Sequence, residues 1–242
     1  MPETLLIVQN ISHEGPGLLE ELLLQQNSAT RRIDLSRGNT VPDPIGFKGM
    51  VVLGGPQSVN DNTPAMRQQL KQIERALSLG IPYLGICLGM QALVKAAGGR
   101  VIPCPLPETG FLSPSGDPYR MALTETGAGD ALFNELGQGF RVFQLHGETV
   151  EPAPGTELIG RGTECPHQAV KVGDSAYGLQ CHFEMTPDMF HQWMEIDPSL
   201  KAMDRDKLFR QFDEVAEDYR ATGLRLLDNF LAIAGFGKGR KQ

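Results

Sequence analysis

Short apolar segments alternate with helical patterns over the first hundred residues, and this order is the strongest evidence for the fold. The predicted strands are 4–9, 31–35, 50–53 and 81–86. Helical periodicity begins near Leu18 and also covers 65–79 and 88–97. A strand–helix–strand order joins parallel strands, because the helix carries the chain back across the sheet. The sequence therefore predicts an α/β fold with a mainly parallel central sheet flanked by helices.

The pattern changes between 101 and 180, where strand-like pieces are separated by glycine and proline. These pieces are 119–123, 141–144, 169–172 and 176–180. They predict an antiparallel extension of the sheet. Two helical stretches follow at 187–195 and about 204–234, and their apolar faces are expected to pack on the core. We expect one domain over residues 1–242, with a catalytic core of about 4–195 and a C-terminal helical segment of about 204–234.

The net charge and the hydropathy of the sequence limit which partners and which cellular location are expected. The net charge is −7, and phosphate binding needs a positive field, so neither nucleic acid nor an anionic membrane is an expected partner. No run approaches the ~20 apolar residues of a membrane span. Residues 1–4 lack a basic leader pattern, so a cytoplasmic protein is expected. The basic tail 237–242 is interpreted as a solvated terminus without a function of its own.

The segment 85–89, Gly-Ile-Cys-Leu-Gly, lies where a predicted strand passes directly into a helix and has the form of a nucleophile elbow. Gly85 and Gly89 permit the close approach that such a sharp turn requires. The turn points the Cys87 sulfur out of the sheet, and the helix N-terminus favours thiolate over thiol. On this segment alone two alternatives stay open. They are a buried structural cysteine between packing glycines and an α/β-hydrolase with a cysteine nucleophile.

A histidine and a glutamate near position 180 can supply a base and the carboxylate that orients it. In an extended chain His182 and Glu184 project to the same side. Such a pair alone is more typical of a protein surface, but its position after the last predicted core strand favours a catalytic role beside the elbow. An α/β-hydrolase has its acid upstream of the histidine, whereas here the acid follows the histidine. The order argues against the hydrolase alternative.

The other cysteines are Cys104, Cys165 and Cys181, and the sequence contains no Cys-x-x-Cys pair. This spacing predicts neither a zinc site nor a disulfide framework. No metal and no organic cofactor are expected for this chain.

Three segments together resemble the class I glutamine amidotransferases. They are 54–61 (GGPQSVND), 85–91 (GICLGMQ) and 178–184 (GLQCHFE), and they cover roughly residues 50–186. Within that family the chain looks most like stand-alone relatives of the glutaminase domain of GMP synthase, which also resembles it in a His-Gly-acid element, here 146–148. One position departs from the family pattern, because Phe183 stands where the family usually has a proline between the histidine and the glutamate.

The resemblance implies three groups of site residues. They are the catalytic Cys87, His182 and Glu184, the oxyanion-hole backbone donors Gly55 and Leu88, and the substrate-binding Gln91, His146 and Gly147. A glycine at 55 lets the backbone approach a substrate oxygen closely. Gln91 follows Cys87 by one helical turn, so its amide could face the same site.

The activity implied by the resemblance is glutamine hydrolysis through a γ-glutamyl thioester on Cys87, with the ammonia passed to an acceptor. The sequence includes no synthetase segment, so a separate synthetase subunit is the expected partner beside glutamine itself. Two alternatives stay open. The first is hydrolysis of another γ-glutamyl compound, a peptide or an amine, by the same chemistry, and the second is a non-catalytic regulatory subunit that keeps the fold.

Overall fold

The structure, a computed structural model, describes residues 4–237. Residues 1–3 and the tail residues 238–242, both of which were interpreted from the sequence, lie outside the described residues. The strands are β1 (Thr4–Gln9), β2 (Ala29–Asp34), β3 (Gly49–Val52), β4 (Tyr83–Ile86), β5 (Arg100–Gly110), β6 (Arg120–Leu123), β7 (Gly139–Arg141), β8 (Gln144–Glu151), β9 (Thr156–Arg161), β10 (Ala169–Val172) and β11 (Ala176–Leu179). The α-helices are α1 (Leu18–Gln25), α2 (Pro64–Ser78), α3 (Leu88–Ala96), α4 (Glu125–Ala128), α5 (Pro187–Ile196), α6 (Pro198–Lys201) and α7 (Arg205–Ile233).

Within residues 4–237, nine strands form one sheet in the order β2-β1-β3-β4-β11-β10-β9-β6-β7. Neighbours from β2 to β11 pair in parallel, and neighbours from β11 to β7 pair antiparallel. The predicted fold class, a parallel centre with an antiparallel extension, is confirmed.

Alternate residues of β1 belong to hydrophobic clusters on opposite faces of the sheet. Leu5 and Ile7 pack with residues of α1 and α7, whereas Leu6 and Val8 pack with residues of α2 and α3. A strand buried on both faces reads as a continuous apolar run, which is why the sequence revealed it. The long helix α7 covers one face as expected, and the Asp204 side chain caps it by accepting the Lys207 N–H.

The predicted strand at 141–144 is wrong. Strand β7 ends at Arg141 in the large sheet, and β8 begins at Gln144 in a separate two-stranded sheet with β5. Strand β5 was not predicted, because three prolines interrupt it and its register with β8 shifts between Pro103 and Glu108. Residues 146–148 lie inside β8.

Over residues 4–237, no helix combines the length and the apolar composition that crossing a bilayer requires.

Candidate active site

Strand β4 passes into helix α3 at Cys87, whose backbone takes φ 51° and ψ −106°. This left-handed φ is strained for a residue with a side chain and is typical of a nucleophile elbow. A Cβ added to Gly85 would lie less than 3.0 Å from the carbonyl of Gly89, and one added to Gly89 would lie equally close to the carbonyl of Val52. Both positions therefore require glycine, for the steric reason expected from the sequence.

The imidazole and carboxylate of the candidate triad form a buried pair three residues beyond β11. His182 Nδ1 lies 2.7 Å from Glu184 Oε1, and both side chains are almost fully buried. A carboxylate can only accept, so His182 donates from Nδ1 and leaves Nε2 for the substrate or the thiol. The second carboxylate oxygen, Oε2, accepts the backbone N–H of Phe183 at 3.0 Å.

The position of His182 is fixed by its main chain and by its ring. Its N–H donates to the Phe143 carbonyl oxygen at 3.0 Å, and its own carbonyl oxygen accepts the Tyr219 hydroxyl at 2.9 Å. Its ring packs edge-to-face on Trp193, with 4.9 Å between the ring centroids. Trp193 in turn donates from Nε1 to the carbonyl oxygen of His13. Helices α5 and α7 thus both hold the histidine in place.

Cys87 and His182 meet across the site. Burial disfavours the charged imidazolium, but the charge of Glu184 and the hydrogen bond with Cys87 outweigh it and hold the pKa of His182 well above its usual range. The Cys87 sulfur also lies 3.7 Å from the Leu145 carbonyl oxygen and 3.7 Å from the Gln180 amide nitrogen. The structure therefore brings together all three residues that the sequence assigned to catalysis. Their chemical roles stay predictions.

Cys87 opens onto a pocket of about 520 Å³. Among the described residues that line it there is no lysine or arginine, whereas Glu148 and Asp197 contribute acidic side chains. The lining residues are Gly55, Pro56, Gln57, Ser58, Cys87, Gln91, Pro107, Thr109, Leu145, His146, Gly147, Glu148, Asp197 and Ser199.

The two predicted oxyanion donors flank the cysteine. Gly55 lines the pocket with Cys87, and a Cβ on Gly55 would lie 2.5 Å from Gln57 Oε1 and 2.7 Å from Asn10 Cβ, so the backbone here is closely packed. Leu88 is the first residue of α3, and the N–H at such a position has no acceptor within its own helix. Both groups are suitable donors, and their role in an oxyanion hole stays a prediction.

Gln91 lines the pocket, and its amide is held by two acceptors. Its Nε2 donates to the Glu148 carbonyl oxygen at 3.1 Å and to Gln180 Oε1 at 3.4 Å. Gln180, which the sequence analysis did not assign, thus joins Gln91 to Cys87. The predicted substrate contact of Gln91 is not tested by this arrangement.

His146 and Gly147 also line the pocket, but the His146 ring is buried. Its Nε2 contacts Glu108 Oε2 at 2.9 Å, and its Nδ1 lies 3.1 Å from the Glu148 carbonyl oxygen. A Cβ added to Gly147 would meet no described atom within 4 Å, so packing does not require this glycine. If these residues contact substrate, as predicted, His146 would do so through its main chain.

Glu14, on the loop after β1, belongs to the site although the sequence analysis missed it. A Cβ built on Gly54 would lie close to both Glu14 Oε2 and His182 Cε1, so these side chains are neighbours across that glycine. Burial, together with the charges of Glu184 and Asp197, raises the pKa of Glu14 to about 7 against the effect of His182. No motif marks Glu14. Its position after a parallel strand was the available signal, because such loops converge at one sheet edge.

Comparison with known proteins gives one family. The model of glutamine amidotransferase class-I matches residues 7–196. A GMP synthase [glutamine-hydrolyzing] of Porphyromonas gingivalis strain W83 is 35% identical over 156 residues, 63% of this chain and 27% of that protein. The chain thus matches about a quarter of that relative's length.

Two further relatives carry names that state different activities. A gamma-glutamyl-L-1-hydroxyisopropylamide hydrolase of a Pseudomonas species is 29% identical over 174 residues, 69% of this chain and 58% of that protein. The crystal structure of a glutamine amido transferase from Methylobacillus flagellatus superposes with a TM-score of 0.85 at 25% identity, covering 100% of this chain and 99% of that one.

Proposed function

Because this chain belongs to the class I glutamine amidotransferase family, we propose that it hydrolyses the side-chain amide of glutamine through a γ-glutamyl thioester on Cys87. The observation that carries the proposal is the contact between Cys87, on a strained elbow that opens onto the pocket, and the His182–Glu184 pair buried beside it. A nucleophile beside a base that is itself oriented by a third group is the general arrangement for nucleophilic catalysis.

In the first half of the reaction the Cys87 thiolate attacks the amide carbon and the carbonyl oxygen becomes an oxyanion. The backbone N–H groups of Gly55 and Leu88 stabilise that charge, and each donor of this kind typically contributes about 3 kcal/mol. His182 gives its Nε2 proton to the leaving nitrogen, the C–N bond breaks, and ammonia departs. The raised pKa of His182 supports this step, since the ring holds its proton beside the thiolate.

In the second half, His182 removes a proton from water, and the resulting hydroxide attacks the thioester carbon. The C–S bond breaks, glutamate forms, and Cys87 is regenerated. Glu184 keeps the imidazole in one tautomer throughout.

The pocket supports a substrate with a free α-amino group. Glu148 and Asp197 line it, and a carboxylate stabilises an ammonium group. With no lysine or arginine in the described lining, the substrate's α-carboxylate would depend on hydroxyl or backbone N–H donors such as the Ser199 hydroxyl, because both Nε2 hydrogens of Gln91 already have acceptors.

A second candidate, hydrolysis of γ-glutamyl amines or peptides, is favoured by two observations. One relative carries such an activity in its name. The pocket volume of about 520 Å³ also falls within the range that accommodates drug-sized ligands, so a leaving group larger than ammonia fits. The chemistry is unchanged, with an amine leaving in place of ammonia.

For the ammonia released from glutamine we propose a separate synthetase as the recipient. The similarity to a protein named as a glutamine-hydrolysing GMP synthase supports this. Adding a candidate synthetase subunit with its own substrates should then raise the glutaminase rate.

The decisive experiment measures product release from glutamine and from a panel of γ-glutamyl amines and dipeptides, with wild type, Cys87→Ala and His182→Ala. His167→Ala, a substitution away from the triad, serves as the matched histidine control. We expect both triad variants to lose turnover and His167→Ala to retain it. The preferred substrate then decides between the two candidates.

A second readout separates a weak enzyme from a non-catalytic subunit. A glutamine-analogue alkylator should add to the peptide that contains Cys87, while Cys104, Cys165 and Cys181 in the same sample act as internal controls. Turnover that survives Cys87→Ala, or labelling without preference for Cys87, would refute the proposal.

A further inference from the structure

Three metal-ligating side chains that the proposed mechanism does not use meet behind the pocket wall. The sulfur atoms of Cys104 and Cys165 and a ring nitrogen of His146 lie within 4.8 Å of one another. Cys104 Sγ lies 3.4 Å from His146 Nδ1. Ligand atoms around a tetrahedral zinc ion, bound at about 2.3 Å through sulfur and about 2.0 Å through nitrogen, are separated by similar distances.

The ligand atoms come from three separate segments. Cys104 lies on β5 and His146 on the neighbouring strand β8, whereas Cys165 lies on the loop between β9 and β10. The sequence expectation of no zinc site rested on the absence of closely spaced cysteines. Pairing of β5 with β8 brings Cys104 and His146 together, and the Cys165 N–H donates to Glu108 of β5, so no such spacing is needed.

The surroundings of His146 are those of a metal-ligating histidine. Glu108 is buried, and its Oε2 accepts His146 Nε2 at 2.9 Å. A carboxylate accepts only, so Nε2 carries a proton, and Nδ1 is the ring nitrogen that faces Cys104 Sγ at 3.4 Å and the Glu148 carbonyl oxygen at 3.1 Å. Histidines that bind metals usually donate their other N–H to a carboxylate in this way.

Glu108 is fixed in turn by two donors. Its Oε1 accepts the Cys165 backbone N–H at 3.1 Å, and its Oε2 accepts Gln168 Nε2 at 3.0 Å. The same carboxylate therefore orients the histidine and anchors the backbone of one of the cysteines.

A polar donor also contacts one of the two sulfur atoms. The Thr149 hydroxyl lies 3.1 Å from the Cys165 sulfur and can donate a hydrogen bond to it. Metals bind thiolate rather than thiol, so an ion entering here would displace the thiol protons.

We propose that Cys104, His146 and Cys165 bind a single Zn²⁺ ion, with Glu108 as the carboxylate that orients the histidine. Soft thiolate ligands with imidazole select zinc over magnesium or calcium. The Glu148 carbonyl oxygen, 3.1 Å from His146 Nδ1, or a water completes the fourth position. The ion would tie β5, β8 and the loop of Cys165 together directly beneath the pocket residues 146–148.

The test uses the metal-free full chain, reduced and kept anaerobic, titrated with Co²⁺ as a spectroscopic substitute for zinc. We expect the visible absorption of tetrahedral, thiolate-bound cobalt to saturate at one equivalent and to disappear when Zn²⁺ is added. Cys104→Ser and Cys165→Ser should lose the absorption, whereas Cys87→Ala, the matched control that removes the pocket thiol, should keep it. Glu108→Gln should weaken cobalt affinity by about 10–100-fold.

Wild type alone provides a second measurement if the serine variants do not fold. Iodoacetamide should label Cys104 and Cys165 less when one equivalent of Zn²⁺ is present, while labelling of Cys87 stays the same. The proposal fails if wild type shows no tetrahedral cobalt absorption, if the absorption persists in Cys165→Ser, or if it is lost in Cys87→Ala. A different result would identify Cys104 and Cys165 as a redox pair instead. In that case the two cysteines of the reduced protein would rapidly re-form a disulfide, and the protein would not bind cobalt.

Discussion

The backbone N–H of Phe183 donates to Oε2 of Glu184 at 3.0 Å, while His182 Nδ1 donates to Oε1 of the same carboxylate at 2.7 Å. Each oxygen of Glu184 therefore has a donor, and the carboxylate cannot rotate away from the imidazole without losing a hydrogen bond. A proline, which class I glutamine amidotransferases usually have at this position, lacks the N–H. In this chain the departure from the family pattern thus adds a contact to the pair.

Replacing Phe183 by proline should lower kcat about tenfold, because a hydrogen bond to a charged group contributes about 1.5 kcal/mol or more. Phe183→Leu keeps both the N–H and an apolar side chain and should stay within about threefold of wild type. Steady-state glutamine hydrolysis measures both. Equal kcat values for the proline and leucine variants would show that the Phe183 N–H has no part in holding Glu184.

The hydroxyl of Tyr219 connects the C-terminal helix α7 to the carbonyl oxygen of His182. Tyr219→Phe leaves that buried carbonyl without its donor, so we expect a loss of about 1–2 kcal/mol in urea unfolding and a several-fold lower kcat. Tyr177→Phe removes a buried hydroxyl that contacts Asp130 and Lys171 instead, and should affect stability without lowering kcat. We accordingly propose that the C-terminal helix α7 is part of the catalytic domain. If Tyr177→Phe lowers kcat as much as Tyr219→Phe does, the proposal is wrong.

The parallel half of the fold could be predicted because its strands are buried on both faces and carry nearly unbroken apolar runs. Strand β5 could not, since Pro103, Pro105 and Pro107 break the usual strand pattern. The elbow and the His182–Glu184 pair are local in sequence, and their short motifs identified them. Glu14 comes close to His182 only because loops converge at one edge of the sheet. Cys104 comes close to Cys165 only through the folding of β5, β8 and the loop that carries Cys165. No spacing rule encodes either contact.

The elbow glycines allow a steric prediction. Gly85→Ala puts a Cβ against the Gly89 carbonyl, where the strand and helix leave no room, so we expect a loss of at least about 3 kcal/mol in unfolding free energy. Gly137→Ala adds the same methyl group where no described atom lies within 4 Å, and its cost should be small. Urea denaturation compares the unfolding free energies of the two variants. If Gly85→Ala unfolds in the cell, the yields of soluble protein are compared instead. Similar stability for the two variants would mean that the turn can widen without cost.

Glu14 gives the site a dependence on pH that can be measured without turnover. Burial, followed by the charges of Glu184 and Asp197, raises its pKa from 4.5 to about 7 against the attraction of His182. The folded protein therefore binds this proton more tightly than the unfolded chain does. Its contribution to stability is complete below pH 4.5 and is lost as the pH rises through about 7.

Glu14→Gln cannot ionise, so the variant should gain stability relative to wild type as the pH rises from about 4.5 to 8. A shift from 4.5 to about 7 sets the upper limit of this gain at about 3 kcal/mol. Urea unfolding of both proteins at pH 5 and pH 8 measures the difference, and Glu157→Gln, on an exposed position of β9, serves as the control for a lost surface charge. The stability difference between Glu157→Gln and wild type should change little between pH 5 and pH 8. If the stability difference between Glu14→Gln and wild type is equally independent of pH, Glu14 does not share the electrostatic environment of His182.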